Sequence, residues 1–522
     1  MGRVIVRPSL FIKDFRIMSR GTKIRKAKRL AELIIFALIF ITLFMRLTYL
    51  FRNNSWEPQH INGIKNETNL DVVCVGGSST FVYWEPFLAW HEFGMTSYDF
   101  ATDSARPAIM RGYVKEAVDR AHPDLVVIDM RCYTGDAISR ESLTDAEGGI
   151  RNMTDSVDLG YNRLLTVSDV MNYYNAFEDE AVDPWSYFID IAKYHTNDAK
   201  LGAEESWKHL NNHYESAYKG FEFITSGIHD FVTPPKDYKT SEIGALNPST
   251  EDSLNDLIRY LEKNDVEALF VAGPIPVSKD AQKQYNKIGE IVEGHGYRFL
   301  NTNDYYSEMD IDFSKDFYNA GHVNVFGAEK YTRFVGDYIK GHYDIEDHRD
   351  EKSFSEWDEQ YVAAHEQDVQ LKKTISDAIN SKNEANRKGK EMQYIDVPDE
   401  WIKQTINDNY TIVFCSKNHR YNKLTPWNTI GDQENRIRVY TGTKSVVEYD
   451  DMQETDYTGS IGSHSSALVV NAGEKAKIQI GDDQIPIKSD GTYIAVFDNN
   501  YNEILDCVCI SGKETFQHID IE

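Results

Sequence analysis

The chain has 522 residues, of which 41% are hydrophobic and 27% are charged, and its formal net charge is −27 at pH 7. This length allows more than one domain, and so acidic a balance argues against nucleic acid or anionic lipid as the partner. Five cysteines are too few for a disulfide framework and match no zinc-type spacing.

The first predicted element is a basic segment followed by an apolar one. Residues 1–29 contain ten Lys or Arg and a single acid, Asp14, whereas residues 33–51 are almost wholly apolar. At a rise of about 1.5 Å per residue, this stretch just spans a hydrocarbon core of about 30 Å. The pattern predicts a transmembrane anchor at 33–51 behind a cytoplasmic basic segment, 1–32, since positive charge stays on the cytoplasmic side.

A cleaved signal peptide is the alternative interpretation of this apolar stretch. It requires a short apolar region followed by small residues at a cleavage site, and residues 45–50, MRLTYL, provide neither feature. We therefore expect one uncleaved anchor in the lipid bilayer, with all later domains on the outer side of the cell membrane.

Residues 53–343 alternate short apolar runs with amphipathic stretches. This alternation predicts an α/β domain with a parallel sheet covered by helices on both faces, in which ligands bind at the carboxyl ends of strands. The predicted strands are 71–76, 125–129, 268–272 and 297–301, and the predicted helices are 85–93, 113–121, 253–263, 281–294 and 327–343.

The chain changes character after residue 343. Residues 344–392 are charged and helix-prone, with a thin apolar stripe of Trp357, Tyr361, Ala364 and Val369, which predicts a helical linker of one or two helices. Residues 393–522 contain short alternating strands separated by Asn, Asp and Gly turns, which predicts an all-β domain similar to a β-sandwich.

A glycine–serine turn follows the first predicted strand. Residues 76–80 read GGSST, and a serine held there would present its hydroxyl outward beside backbone N–H groups, as a serine nucleophile requires. An ordinary strand-to-helix turn with a serine N-cap is the alternative. The turn is neither a dinucleotide loop nor a Walker loop, because their glycine and lysine spacings are missing.

A histidine lies in the loop before the last predicted helix of this domain. Residues 316–324 read DFYNAGHVN, and His322 in such a loop can reach across the strand ends to a serine. A lone histidine is more often structural, but its combination with the GGSST turn indicates a possible acyl-transfer site.

Taken in order, these segments resemble the SGNH (GDSL-like) hydrolase family over roughly residues 70–345. The most similar branches are the D protein of teichoic-acid D-alanylation (DltD) and the alginate O-acetylation proteins. The resemblance implies a three-layer, flavodoxin-like fold, with Ser79 as the nucleophile behind Gly77 and His322 as the general base.

The resemblance also implies two groups that stabilise the oxyanion. The second family block corresponds to residues 98–104, which places a backbone N–H near Ser104. The third block ends in an asparagine in the hydrolases, whereas this chain has residues 128–131, IDMR, so that Arg131 is the residue expected to point into the site.

The family's triad aspartate is replaced here by Asn319. A triad carboxylate selects the histidine tautomer and stabilises the imidazolium, and an asparagine supplies no charge. Three outcomes follow: Ser79 and His322 act as a dyad, Asp316 takes the place of the missing acid, or the site binds without turnover.

Two functions are therefore expected from the sequence. The first is transfer or hydrolysis of an O-acyl group on an envelope polysaccharide or teichoic acid, with a membrane-bound O-acyltransferase as the partner that the resemblance implies. The second is a weakened or inactive relative that binds glycan or acts as a scaffold. Neither function requires a cofactor or a metal ion.

Overall fold

The structure is a computed structural model of the whole chain, which divides into two compact units, Met1–Lys372 and Lys373–Glu522. It describes residues 9–51, 56–134, 147–157, 159–175, 184–196, 216–225, 228, 232–419, 436–449, 456–462, 466–472, 476–481, 483–511 and 515–521.

The first helix, α1, runs from Ser9 to Thr48 and contains the apolar stretch. Its part Ile24–Thr48 is long and apolar enough to cross a membrane, and its most apolar window has no residue buried inside the protein. A helix that is apolar on all sides and unburied suits a lipid environment. The chain then forms a short turn of 3-10 helix at Tyr49–Phe51.

The first unit contains a five-stranded parallel sheet in the order β2-β1-β3-β4-β5. Every residue of the first four strands is buried, so both faces of the sheet are covered. The predicted α/β class with a parallel sheet is thereby confirmed. The strands are β1 Val72–Gly76, β2 Ser97–Ala101, β3 Leu125–Asp129, β4 Ala268–Ala272 and β5 Arg298–Asn301.

The strand order reverses between β1 and β3, because the chain proceeds from β1 to β2 on one side and then crosses to β3 on the other. Such a reversal leaves a crevice at the carboxyl ends of the two central strands, where α/β proteins bind their ligands. Strand β2 was missed from the sequence because Ser97 and Asp99 interrupt its apolar residues, although both are buried.

The predicted helices are present, and most begin earlier than the sequence suggested. In the helix after Asn247, for example, the asparagine side chain accepts from the N–H of Ser249 at 3.0 Å and caps the first turn. The described helices of this unit after α1 are α2 Trp56–Gly63, α3 Ser78–Phe81, α4 Pro86–Phe93, α5 Pro107–Ala121, α6 Glu147–Ser156, α7 Tyr161–Asn175, α8 Asp190–Tyr194, α9 Pro248–Asn264, α10 Lys279–Gly294 and α11 Val325–His342.

The charged segment predicted as a linker forms one long helix, α12, from Ser355 to Gln393. It begins in the first unit, where Trp357, Ala364 and Leu371 are buried at a spacing of seven residues. Val369, which belonged to the predicted stripe, is 52% exposed. The division between the two units lies inside this helix, after Lys372.

The second unit is built from antiparallel sheets, which confirms the predicted all-β region. A six-stranded sheet has the order β10-β9-β8-β15-β16-β17 and a four-stranded sheet has the order β11-β12-β13-β14. The two sheets share one apolar core, while helix α13, Pro398–Thr405, packs on the other face of the larger sheet. The strands are β8 Tyr410–Lys417, β9 Arg436–Thr441, β10 Lys444–Tyr449, β11 Asp456–Ile461, β12 Ser466–Asn471, β13 Lys477–Ile480, β14 Asp483–Pro486, β15 Gly491–Asp498, β16 Glu503–Ser511 and β17 Thr515–His518.

Candidate active site

The GGSST turn lies between the end of β3 and the loop after β2. A Cβ atom on Gly77 would lie 3.3 Å from the Cβ of Ala105, and one on Gly76 would lie 2.5 Å from the Cβ of Asp129. Side chains at these two positions would therefore push the turn away from its neighbours. The two glycines allow the chain to enter helix α3 at the strand-order reversal.

A short hairpin carries the histidine. Its two strands, β6 Phe317–Asn319 and β7 His322–Val323, pair Asn319 directly with His322. The loop is anchored behind the histidine by Asn324, whose side chain accepts from the N–H of Phe326 at 3.0 Å and caps helix α11.

The histidine contacts Ser78 and not the predicted Ser79. The Nε2 atom of His322 lies 2.8 Å from the Oγ atom of Ser78, and its Nδ1 atom lies 3.0 Å from the Oδ1 atom of Asn319. Ser78, His322 and Asn319 thus form a serine–histidine–asparagine arrangement at the expected edge of the sheet.

The hydrogen bonds around Asn319 determine which nitrogen of His322 carries the proton. The backbone N–H of Gly321 donates to the Asn319 Oδ1 atom at 2.8 Å, so the amide oxygen faces the histidine. Since an amide oxygen can only accept, the Nδ1 atom of His322 is the protonated one. The Nε2 atom is then free to accept the proton of the Ser78 hydroxyl.

Ser79 is directed elsewhere. Its hydroxyl donates to the Oδ2 atom of Asp129 at 2.5 Å, and its side chain is enclosed, with 4% of the residue exposed. The pairing of Ser79 with His322 expected from the sequence is therefore not the pairing in the structure. Successive residues of a helix point about 100° apart, so only one of two adjacent serines can face the histidine.

The carboxylate of Asp129 holds the GGSST turn in place through hydrogen bonds. Besides Ser79, its carboxylate accepts from the backbone N–H of Arg131 at 3.1 Å. Burial raises the pKa of this carboxyl group, and the bonds from Ser79, Arg131 and Gly77 act in the opposite direction. The residue was not singled out from the sequence, although an acid ending a buried strand beside a glycine turn is a recognisable signal.

Burial and, to a lesser extent, the positive charge of Arg131 lower the pKa of His322, whereas Asp103 acts in the opposite direction, and the net result is a pKa of about 4. The imidazole is therefore neutral at pH 7. A neutral ring with a free Nε2 atom can take a proton, but no carboxylate at position 319 stabilises the imidazolium that results.

Arg131 contacts the histidine loop. Its guanidinium donates to the carbonyl oxygen of Gly321, which also accepts from the Tyr83 hydroxyl at 3.3 Å. Arg131 also lines the cavity in front of Ser78. The structure thus brings the predicted Arg131 to the site, where it fixes the loop that carries His322.

Asp316 is not placed to act as the missing acid. It is fully buried, and its carboxylate pairs with Lys330 at 2.7 Å and accepts from the backbone N–H of Asp312 at 2.7 Å. Releasing it toward His322 would leave the Lys330 ammonium without this partner. We conclude that Asp316 stabilises the loop. This geometry does not support the expectation that Asp316 takes the place of the missing triad acid.

The predicted oxyanion donor at Ser104 is occupied. Ser104 adopts a left-handed backbone conformation, φ 52°, and its N–H donates to the side chain of Asp103 at 2.8 Å. The next residue, Ala105, has its backbone nitrogen 3.8 Å from the position that a Cβ on Gly77 would take. The backbone N–H of Ala105 therefore lies beside the turn.

The site opens into a cavity of about 400 Å³, a volume within the range of small-ligand sites. Ser78 and His322 lie in its wall together with the basic side chains of Arg106 and Arg131 and the acidic side chains of Asp103 and Asp129. The rest of the described wall includes hydroxyl and amide side chains, from Ser104, Thr134, Asn247, Thr250 and Gln284.

A carboxylate–histidine group lies far from this cavity, at the amino end of β1. Glu346, His348 and Glu351 place possible metal-ligating atoms within 4.8 Å of one another. Both ring nitrogens of His348 already bond to carboxylates, the Nε2 atom to Asp71 at 3.1 Å and the Nδ1 atom to Glu351 at 2.6 Å. The geometry is that of an ion-pair cluster, and a metal ion would have to displace these contacts.

No family model matches this chain, and no curated protein is significantly similar to it. The functional argument therefore depends on the geometry of the site.

Proposed function

We propose that this protein is a membrane-anchored serine acyltransferase or esterase of the SGNH type, with Ser78 as its nucleophile. The observation that carries the proposal is the 2.8 Å contact between the Ser78 Oγ atom and the His322 Nε2 atom. A nucleophile within hydrogen-bond reach of a base, which is itself oriented by a third residue, is the arrangement that acyl-transfer enzymes use.

The reaction follows from this contact. The Ser78 hydroxyl attacks the carbonyl carbon of an ester, its proton passes to the His322 Nε2 atom, and the leaving alkoxide takes that proton. An acceptor hydroxyl then attacks the acyl-serine and loses its proton to His322. The bond between the acyl group and the Ser78 oxygen breaks, and His322 returns the proton to that oxygen. When water is the acceptor the products are an acid and an alcohol, and when a sugar or polyol hydroxyl attacks, the acyl group is transferred.

Backbone N–H groups would hold the oxyanion of each tetrahedral intermediate. The N–H of Ser78 opens helix α3, where no preceding residue of the helix can accept from it. We assign the second donor to Ala105 instead of Ser104, whose N–H is bound to Asp103. Two such donors stabilise the charge that develops on the carbonyl oxygen.

The acceptor class that we propose is an envelope polysaccharide or teichoic acid. The hydroxyl and amide groups of the cavity wall suit a polyhydroxylated molecule, and Arg106 and Arg131 suit an anionic group on it. The resemblance to the DltD-like branch adds a membrane-bound O-acyltransferase as the donor of the acyl group.

The proposed location is the outer face of the cell membrane. Ten basic residues lie in residues 1–29, ahead of the apolar residues 33–51, and their charge favours the cytoplasmic side for the N-terminus. Helix α1 would then hold the catalytic unit next to the membrane, within reach of a membrane-bound acyl donor.

A fluorophosphonate probe tests the proposal on the full-length protein. We expect labelling of the wild type and its loss in both Ser78→Ala and His322→Ala, with retention in Ser79→Ala as the matched control. If the wild-type protein is folded, as judged by its circular dichroism spectrum, and is still not labelled, an active serine at this site is excluded.

A non-catalytic glycan-binding or scaffold role is the second candidate. It is favoured by one observation, the uncharged Asn319 beside a histidine whose pKa is about 4. In that case, Ser78→Ala would bind the envelope polymer as tightly as the wild type, and neither protein would turn over an acetyl ester.

A further inference from the structure

An exposed apolar patch lies on the first unit, away from the candidate site. We call it the interfacial patch and define it by Leu159, Tyr161, Leu164 and Trp185. These side chains are large and apolar, and their exposed fractions are 45%, 76%, 62% and 68% respectively. Such clusters on a protein surface mark contact with a membrane or a partner.

The interfacial patch is held in place by buried arginines. The Arg163 side chain, between Tyr161 and Leu164, donates to the carbonyl oxygen of Val157 at 2.9 Å and to that of Tyr187 at 2.8 Å. These bonds join the start of helix α7 to the turn that carries Trp185. The patch is thus a feature of the folded unit, with its exposed side chains on a fixed base.

The same segment lies beside the end of the membrane helix. Residues 184–187 lead into helix α8, which contacts both the end of α1 and the turn Tyr49–Phe51. Thr48 and Leu50 are buried there, whereas the apolar side chains earlier in α1 are exposed. If α1 spans a bilayer, the point where the chain leaves the membrane is therefore covered by α8, and the turn that carries Trp185 of the interfacial patch contacts α8.

The composition of the segment suits the boundary between headgroups and acyl chains. Residues 184–193 read PWSYFIDIAK, in which aromatic and branched apolar residues precede a lysine. Trp and Tyr favour the membrane interface because their rings are amphipathic, and a lysine can reach lipid phosphates. Phe188 and Ile191 in this segment are themselves partly exposed.

We propose that the interfacial patch inserts into the lipid headgroup region and forms a second membrane contact beside helix α1. Interfacial segments of this kind lie about 5–10 Å into the boundary between headgroups and acyl chains. Two adjacent contacts restrain the tilt of the first unit relative to the bilayer more than a single helix would. This contact does not depend on the chemistry proposed for Ser78.

Spin labels on the full-length protein in lipid nanodiscs test this contact. The nanodiscs contain phosphatidylcholine as their only lipid, and their scaffold protein is the only other protein present. Single cysteines replace Tyr161, Leu164 or Trp185 in a Cys132→Ser background, because the other four cysteines are buried.

A label at Leu43, inside the apolar part of α1, reports whether the helix spans the lipid. A label at Val362, which is 56% exposed on α12, reports the aqueous phase.

We expect the three patch labels to be more accessible to oxygen than to a water-soluble nickel complex, as at Leu43, and the label at Val362 to show the reverse. Adding Trp185→Glu should shift the label at 164 toward the aqueous result. If the patch labels behave like Val362 while Leu43 is lipid-exposed, the proposal is wrong, and a protein partner becomes the occupant of the patch. The circular dichroism spectrum of each labelled variant is compared with that of the wild type. If one variant is misfolded, a label at another of the three positions is used in its place.

Discussion

An amide and a carboxylate at position 319 differ in charge but not in their ability to accept a hydrogen bond. The Oδ1 atom of Asn319 accepts from the His322 Nδ1 atom, and the Gly321 N–H keeps the amide in this orientation. In chymotrypsin-like serine proteases, exchanging the triad aspartate for asparagine lowers turnover by about 10⁴, because the histidine then adopts the wrong tautomer. That loss does not apply here, since Asn319 already selects the correct tautomer.

Replacing Asn319 by Asp should restore the missing charge. The carboxylate would favour the protonated imidazole, so the pKa of His322 would rise from its present value of about 4. We expect turnover of p-nitrophenyl acetate at pH 7 to rise roughly a hundredfold, which is the low end of what positioned acid–base groups contribute.

The same variant should change the pH profile of kcat/KM in a defined direction. A general base works only when unprotonated, so the wild-type acidic limb lies near pH 4, and that of Asn319→Asp lies at higher pH. Asn319→Ala is the control, because it removes the acceptor without adding charge, and its activity should fall. Identical acidic limbs in wild type and Asn319→Asp would mean that His322 is not the base.

Ser79 should prove to be a positioning residue. Ser79→Ala removes the hydroxyl that binds Asp129, which leaves a buried carboxylate with one donor fewer. We expect the free energy of unfolding of the first unit to fall by about 1–3 kcal/mol, and turnover to fall because Ser78 is less well oriented. Urea unfolding and esterase assays measure the two effects, and Ser307→Ala, at an exposed serine, is the control. Complete loss of probe labelling in Ser79→Ala would contradict this assignment.

The difference between Ser78 and Ser79 shows what sequence could and could not supply at this scale. The GGSST turn and His322 were identified from their residue types and positions, whereas Asn319 and Arg131 were identified from the resemblance to the SGNH family. Which of two adjacent serines faces the histidine depends on where helix α3 begins and on Asp129, a residue fifty positions further along the chain. Neither feature can be read from the turn itself.

At the scale of elements, an ion-pair cluster holds the segment after α11 against the start of β1. His348 bonds to Asp71 and Glu351, and its ring stacks on Phe354 with centroids 4.5 Å apart. Burial disfavours the charged ring, but the bond from Glu351 and the charge of Asp71 outweigh it, so the pKa of His348 is raised.

The cluster should make the stability of the first unit depend on pH. Because the folded-state pKa of His348 is raised above its unfolded value, its contribution is fully present below about pH 6.5 and is lost as the pH rises through the folded value. In the wild type, we expect the free energy of unfolding to decrease as the pH rises from about 6.5 through the folded-state pKa of His348. This decrease should be absent in His348→Gln. His342→Gln, at an exposed histidine on α11, should keep the wild-type slope, and a slope that survives in His348→Gln would assign the effect to another group.

The elements that sequence predicted best are those with a single dominant signal. Strands β1, β3 and β4 are continuous runs of buried apolar residues, and α9 repeats its leucines at helical spacing. Strand β2 was missed because buried Asp99 mimics a surface residue. The apolar stripe of α12 was only partly identified, because the side that is buried depends on contacts with distant residues such as Trp90.

At the scale of the whole molecule, the candidate site lies entirely within one unit. Ser78, His322, Asn319 and Asp129 all precede Lys372, and the second unit has its own core between two sheets. The chemistry at Ser78 should therefore not require an intact second unit.

A core variant in the second unit tests this separation. Leu468 is fully buried between the two sheets, so Leu468→Ala should lower the free energy of unfolding of that unit by about 2–5 kcal/mol. Labelling of Ser78 by the fluorophosphonate probe should remain at the wild-type rate below the unfolding transition. A parallel loss of labelling would show that the units act together.

The central claim is that Ser78, and not its neighbour, is the nucleophile. The most direct measurement is peptide mapping by mass spectrometry of the full-length protein after reaction with a fluorophosphonate. Fragment ions that place the phosphonate on Ser78, with no modification in His322→Ala, are the predicted result. A phosphonate on Ser79, or equal modification in His322→Ala, would contradict the account.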